Sequence, residues 1–182
     1  METSVHPMLT VRSATLADGP FLLRLRNDPA TVAASRQQRP VEEAEHLAWL
    51  TATLDDPTKA LYIAVMGPLL VGTARLDHWE CPDACATELS LTVAPPSRGR
   101  GFARQILLSA METDPYRCRR WIAEVRRENV PSLRAFLSAG WLIDGYSAEG
   151  FVVLEYERVP EPAPIHWVAV WDAGIFRIGE TP

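Results

Sequence analysis

The sequence predicts an α/β sandwich built on a mixed sheet. Strand-like and helix-like periods alternate along most of its 182 residues, two apolar runs flank a tight turn at Gly67-Pro68, and one strongly alternating strand runs through an Arg/Gly loop into a helix. The predicted order is β-α-α-β-β-β-α-β-α-β-β.

Leu9 to Ser13 alternates weakly and reads as the first strand. Thr15 to Arg26 follows as a helix, with Phe21, Leu22 and Leu25 at helical spacing. Pro40 opens a second helix that carries Ala44, Leu47, Ala48, Leu50 and Leu54 along one side. Three glutamates stand near its start, where the helix dipole favours them, and Asp55-Asp56-Pro57 ends it. Ala60 to Met66 and Leu69 to His78 form a hairpin around Gly67-Pro68, and Trp79 to Cys85 reads as a loop.

Ala86 to Ala94 is the most informative strand. Leu89, Leu91 and Val93 fall on one face, and Glu88, Ser90 and Thr92 on the other. Pro95-Pro96-Ser97 breaks it, and a helix runs from Phe102 to Thr113. Arg119 to Arg126 is a further strand, and Val130 to Ala139 a helix with Leu133, Phe136 and Leu137 on one side and Gly140 as its C-terminal cap. Strands at Trp141 to Ile143 and Phe151 to Arg158 complete the sheet. These elements make one domain, residues 1–159. A proline-rich joint then leads into an extension, 160–182, in which Asp172-Ala173-Gly174 could turn a terminal hairpin; it is expected to pack as an edge strand on the same domain, with a substrate lid or dimer contact as the alternative.

Composition narrows the function classes. Hydrophobic residues make up 47% and charged residues 23%, a globular mixture. The net charge of -5 argues against a general nucleic-acid binder. No run is long enough to span a bilayer, and the N-terminus lacks a basic stretch followed by an apolar one, so a cytoplasmic protein without membrane attachment is expected. Cys81, Cys85 and Cys118 are an odd set that suits a reducing compartment. His78, Cys81 and Cys85 are close in sequence, but their spacing does not match recurring zinc sites, and no metal is expected.

The sharpest motif is Arg98-Gly99-Arg100-Gly101-Phe102-Ala103, between strand and helix. Glycines leave backbone N–H groups unobstructed at a helix N-terminus whose dipole attracts anions, a chemistry suited to pyrophosphate. A Walker loop is excluded because no Gly-Lys-Ser/Thr is present, and the dinucleotide fingerprint fails because Arg104 stands where its third glycine belongs. A solvent-exposed turn without a ligand is the alternative.

Arg98 to Ala103 resembles the Gln/Arg-x-x-Gly-x-Gly/Ala signature of GNAT N-acetyltransferases. Glu88 to Val93 is similar to their splayed fourth strand, and Asn129-Val-Pro-Ser132 through Phe136 and Ala139-Gly140-Trp141 to their Asn-x-x-Ala/Ser, aromatic, Gly-Phe block. The resemblance runs from about Leu9 to Arg158. It implies the acyl-coenzyme A N-acyltransferase fold, with a mostly antiparallel sheet and helices on both faces, and acetyl-CoA as cosubstrate. It further implies that backbone groups of Leu91, Thr92 and Val93 bond the pantetheine and those of Arg98, Gly99, Arg100, Gly101, Phe102 and Ala103 the pyrophosphate. Asn129 would contact the coenzyme near the thioester, beside its ordinary role as a helix N-cap.

Acetyl transfer needs a neutral amine, so a base is useful. Glu88 is the candidate, on the polar face of its strand, with His78 and Glu124 in reserve and a salt-bridged sheet carboxylate as the alternative. Many relatives protonate the departing thiolate with a tyrosine at the position of Phe136. A phenyl ring has no proton to give, so water or Tyr146 would have to serve, and Phe136 reads as core. The acceptor is expected to be a primary amine of a small molecule. Arg26-Asn27-Asp28-Pro29, with His46 and Trp49, resembles acetyltransferases of nucleotide-linked amino sugars, and polyamine enzymes share part of the pattern. A protein N-terminal or lysine acetyltransferase and a non-catalytic acyl-CoA-binding module are the alternatives. Arg26 and His46 are more commonly solvated helix residues. Related enzymes are often homodimers.

Overall fold

The computed structural model describes residues 8–81, 84–158, 168–172 and 175–179. Seven strands form one sheet: β1 (Leu9–Ser13), β2 (Lys59–Met66), β3 (Leu69–Cys81), β4 (Ala84–Val93), β5 (Arg120–Arg126), β6 (Leu142–Tyr146) and β7 (Phe151–Glu157). Their spatial order is β1-β2-β3-β4-β5-β7-β6. All neighbours are antiparallel except β4 and β5. Five helices join them: α1 (Gly19–Arg26), α2 (Pro29–Ala34), α3 (Glu43–Asp55), α4 (Phe102–Thr113) and α5 (Val130–Ser138). This is the fold that the sequence predicts.

Strand alternation splits the apolar side chains between two layers. Tyr62, Ala64, Ala74, Leu76, Leu89, Trp121, Ala123 and Leu154 pack with Ile106, Leu107 and Ala110 of α4 and Phe136 of α5. On the opposite face Leu61 and Ile63 of β2 pack with Leu22 of α1 and Leu50 of α3. Ile63 pairs with Thr73, and Thr73 with Thr92, so Thr92, Ser90 and Glu88 share the face that carries α1 and α3.

Several boundaries differ from the predicted ones. Trp79 to Cys85 is not a loop: Trp79 pairs with Ala86, Glu80 with Cys85 and Cys81 with Ala84, so the β3–β4 ladder runs to the edge of residues 82–83, which lie outside the described part. Helix α3 begins at Glu43 rather than Pro40, because the side chain of Asn27 bonds both backbone groups of Val41 and holds that segment extended. Its buried stripe is His46, Leu50 and Thr53, while Leu47 is exposed. The short helix α2 has no counterpart in the predicted order. Asp28 caps it by accepting from Thr31 N–H, and Pro29 occupies its first turn. Strand β6 runs from Leu142 to Tyr146 with a register shift between Ile143 and Gly145. Gly140 does end α5, at φ 89°, with Trp141 N–H donating back to the carbonyl of Phe136.

The terminal hairpin forms from β8 (Val168–Asp172) and β9 (Ile175–Gly179) as a two-stranded sheet of its own, rather than as an edge strand of the main one. Its expected turn at 173–174 lies outside the described residues.

Candidate active site

Strands β4 and β5 pair only from Ala86 to Glu88 against Arg120 to Ile122 and then part. The opposite edge of β4 stays paired with β3 as far as Val93. Ala94 N–H donates to the carbonyl of Val71, which makes Val93–Gly72 a non-hydrogen-bonded pair in that ladder. Alternation then turns the backbone groups of Leu89, Leu91 and Val93 into the gap beside β5. Those of Ser90 and Thr92 turn to β3. Leu91 and Val93 therefore offer backbone partners where the sequence expects them, but Thr92 has only its side chain to offer. Gly72 makes the close approach of β3 and β4 possible here: a Cβ on it would lie 2.3 Å from the carbonyl oxygen of Thr92.

The gap opens toward the glycine loop. Pro95–Ser97 forms a 3-10 turn, and Arg98 is extended. Gly99 and Gly101 then take φ of 73° and 77°. A Cβ on either would touch nothing, so glycine is required there by backbone conformation rather than by crowding. Gly101 is the N-cap of α4 and has no side chain to satisfy the first-turn N–H groups, which are left for an anion. Arg98, Gly99, Arg100 and Gly101 are exposed, Ala103 is half-buried, and Phe102 turns into the core with the Arg100 guanidinium 5.0 Å from its ring centre.

Arg98 ties this loop to α2. Its Nε donates to the carbonyl of Val93 at 3.1 Å and its Nη2 to Asp28 Oδ1 at 2.5 Å. The guanidinium holds the Asp28 carboxyl below its ordinary pKa. Asn129 caps α5, its Oδ1 accepting from Ser132 N–H at 3.3 Å, which leaves its NH₂ as a donor. Phe136 is 2% exposed and packs edge-on against Trp141, with ring centres 4.9 Å apart.

Glu88 is half-buried on the other face. Burial raises its pKa first, Asp77 adds like-charge repulsion, and Arg75 and Arg36 oppose the rise. Asp77 stands opposite Glu88 in the ladder and is bonded by Arg75 Nε at 2.7 Å. Glu124 lies on the same face of β5, ion-paired with Arg36, which also pairs with Glu149. Arg36, Asp77 and Glu149 carry no motif and come from distant segments, so nothing in the sequence links them to Glu88.

The other candidates are placed differently. His78 is on the opposite face from Glu88, its ring stacked on Tyr116 at 4.3 Å and its Nδ1 3.1 Å from Cys118 Sγ. Burial pushes the Cys118 thiol up to about 12. Tyr146 sits on the outer strand β6, largely exposed, with the Arg127 guanidinium 5.8 Å from its ring centre. His46 is not a surface residue: it is 5% exposed beneath α1, and burial lowers its pKa. Arg26 is half-buried rather than solvated. Asn27 and Asp28 are committed to Val41, α2 and Arg98. Among the described residues no group of three His, Cys, Asp or Glu could hold a metal ion, and no helix is long and apolar enough to cross a membrane.

Comparison with known proteins agrees with this fold. The fold matches spermidine N-acetyltransferase from Vibrio cholerae in complex with CoA and spermine, with TM-score 0.72 and 18% identity over 82% of this chain and 95% of that one. It matches aminoglycoside acetyltransferase AAC(6')-Ib in complex with coenzyme A at TM-score 0.69 and 16% identity, over 83% and 95% of the two chains. For yncA from Salmonella typhimurium with its cofactor acetyl-CoA, the values are 0.69 and 22%, over 86% and 98%. No curated protein matches the chain in sequence. The model of the acetyltransferase (GNAT) domain matches residues 8–141, a span that takes in the parted strands, the glycine loop and Asn129, and the chain therefore belongs to the GNAT acetyltransferase family.

Proposed function

We propose that the protein transfers the acetyl group of acetyl-CoA to a primary amine of a small molecule, with Glu88 as the base. The observation that carries this reading is the parting of β4 from β5 after Glu88, continuous with unoccluded amides at the start of α4. Leu91 and Val93 would bond the pantetheine arm, and the amides of Gly99 to Ala103 the pyrophosphate. The NH₂ of Asn129, left free by its cap, would contact the coenzyme near the thioester. An acceptor that arrives as an ammonium first gives up one proton to bulk water; the neutral nitrogen then attacks the acetyl carbon, and Glu88 accepts the second proton, directly or through water, as the N–C bond forms. The C–S bond then breaks, and the pair of electrons leaves on sulfur. Backbone N–H groups on the free edge of β4 stabilise the oxyanion. A thiolate of parent pKa about 8.5 departs without an acid, which fits a buried phenyl ring at Phe136.

For the acceptor, the charge around Glu88 favours a cationic amine over a nucleotide-linked amino sugar. Asp77, Glu88, Glu124 and Glu149 face this side against Arg36, Arg75 and Arg126. Asn27 and Asp28, on which the nucleotide-sugar likeness rests, are used within the fold. The structural neighbours named for spermidine and aminoglycosides act on amines of this kind.

Thiol release from acetyl-CoA, measured with a panel of amines, tests the reading. Release is expected with cationic amines, and Glu88→Gln is expected to lower kcat by roughly a hundredfold or more. Because its pKa is raised, the acid limb of the kcat profile should lie above the usual carboxylate range and vanish in the variant. Coenzyme A binding without thiol release from any amine would instead support a non-catalytic acyl-CoA-binding module.

A further inference from the structure

Three charged side chains from distant parts of the chain meet over β5. Arg36, just past α2, forms ion pairs with Glu124 of β5 and with Glu149 in the turn between β6 and β7. Its guanidinium stands 4.8 Å from the centre of the Phe151 ring. Arg126 stacks on the same ring at 4.6 Å and donates through Nη2 to the carbonyl of Ser35 at 3.0 Å. The segment carrying Arg36 is thus fastened to the sheet by a neighbouring contact that does not involve the Arg36 side chain.

Glu88 faces the same space. It pairs in register with Ile122, two residues before Glu124 on the adjacent parallel strand. One strand spacing across and two residues along put the Glu88 and Glu124 backbones about 8 Å apart. A short alkyl diamine spans that separation, with one nitrogen at Glu88 and the other at the Glu124–Glu149 pair.

We propose that Glu124 and Glu149 form a subsite for the second cationic group of the acceptor, and that Arg36 occupies it as an internal competitor which a polycationic amine displaces. The proposal rests on the acetyltransferase reading above. With Arg36 in place the two carboxylates are balanced by Arg36 and Arg126; once Arg36 swings away they face Arg126 alone, and the net negative charge that is left holds an ammonium. The Arg36 side chain is 53% exposed and that of Glu149 66%, so water screens their ion pair; the pair with Glu124, 24% exposed, is screened less, and an ammonium must replace it as well. Arg36 then sets specificity. A monoamine uses Glu88 alone and feels Arg36 only through its charge on that carboxylate, whereas a diamine must push it aside.

The test is calorimetry on the full chain saturated with coenzyme A, with putrescine and butylamine as probes, beside thiol-release kinetics with both. Arg36→Ala is expected to tighten putrescine binding and lower its KM roughly threefold to tenfold relative to butylamine, which feels Arg36 only through its charge on Glu88. Adding Glu149→Gln to that variant is expected to cancel the gain. Should Arg36→Ala lower the melting temperature, Arg36→Gln repeats the measurement with a neutral side chain of similar reach. Weaker or unchanged putrescine binding in the neutral variants makes Arg36 a structural brace and overturns the proposal. Failure of the underlying reading looks different: no thiol release occurs with any amine, while the binding comparison still decides what Arg36 does.

Discussion

Ion pairing moves Asp18 and burial moves Glu88 in opposite directions, and each shift has its own readout. Arg12 donates to both carboxylate oxygens of Asp18, at 2.9 and 2.7 Å, and Thr15 adds its backbone N–H. The Arg12 bonds come first among the causes that hold the Asp18 pKa at about 2. A depressed carboxylate pKa contributes stability above its unfolded value, and that contribution disappears as pH falls from about 4 through about 2. Asp18→Asn should therefore cost about 1 kcal/mol at neutral pH, less than the shift alone implies because Arg12 is 45% exposed. Denaturant midpoints of the two proteins should converge near pH 2; a gap of constant size would mean that the ion pair is not the cause. At this scale the sequence exposes Glu88, because alternation alone assigns it to a polar face. It does not expose Arg36, Asp77 or Glu149, whose proximity is made by pairing between strands far apart in the chain.

At the scale of elements, two kinds of glycine separate cleanly. A methyl group on Gly72 would collide with the Thr92 carbonyl and press on Ile106 of α4 at 3.0 Å, so strand, neighbour and helix would all have to shift. Gly72→Ala is expected to destabilise by about 1–3 kcal/mol, read as a lower melting temperature. Gly101→Ala meets no atom but forces a left-handed backbone at φ 77° on a residue with a Cβ, about 1–2 kcal/mol. Relief of that strain would tilt the first turn of α4, so its larger effect should be a loss of coenzyme A affinity by calorimetry. A variant with normal affinity would remove the loop from the pyrophosphate site. Both glycines of the loop are readable as a motif, whereas Gly72 has no signal except its place in an unremarkable strand. The Trp79–Cys85 ladder and α2 escaped for related reasons: a polar, cysteine-bearing stretch becomes strand only because its partner lies opposite, and a six-residue helix has too few positions to show a period.

For the molecule as a whole, one sheet with an open seam between β4 and β5 links binding to stability. A ligand that fills the seam binds only the folded chain, so coenzyme A at a hundredfold excess over its Kd should add about 2.7 kcal/mol. The melting temperature should rise with coenzyme A, and Glu88→Gln should leave that rise intact while Gly101→Ala diminishes it. No change in melting temperature at millimolar coenzyme A would remove the basis of the functional reading.

The sequence by itself determined the order of the elements apart from α2, the glycine loop before α4, the cap at Asn129, the polar face carrying Glu88 and the loss of a hydroxyl at Phe136. All of these are local, set by side-chain period, backbone conformation and residue chemistry within a few positions. Only the tertiary structure decided that β4 leaves β5 after Glu88, that Thr92 turns its amide away from the seam, that His46 is buried, and that Arg36 bridges Glu124 and Glu149. Those depend on which strands become neighbours and in what register, and a pattern read along one chain carries no information about the residue across from it.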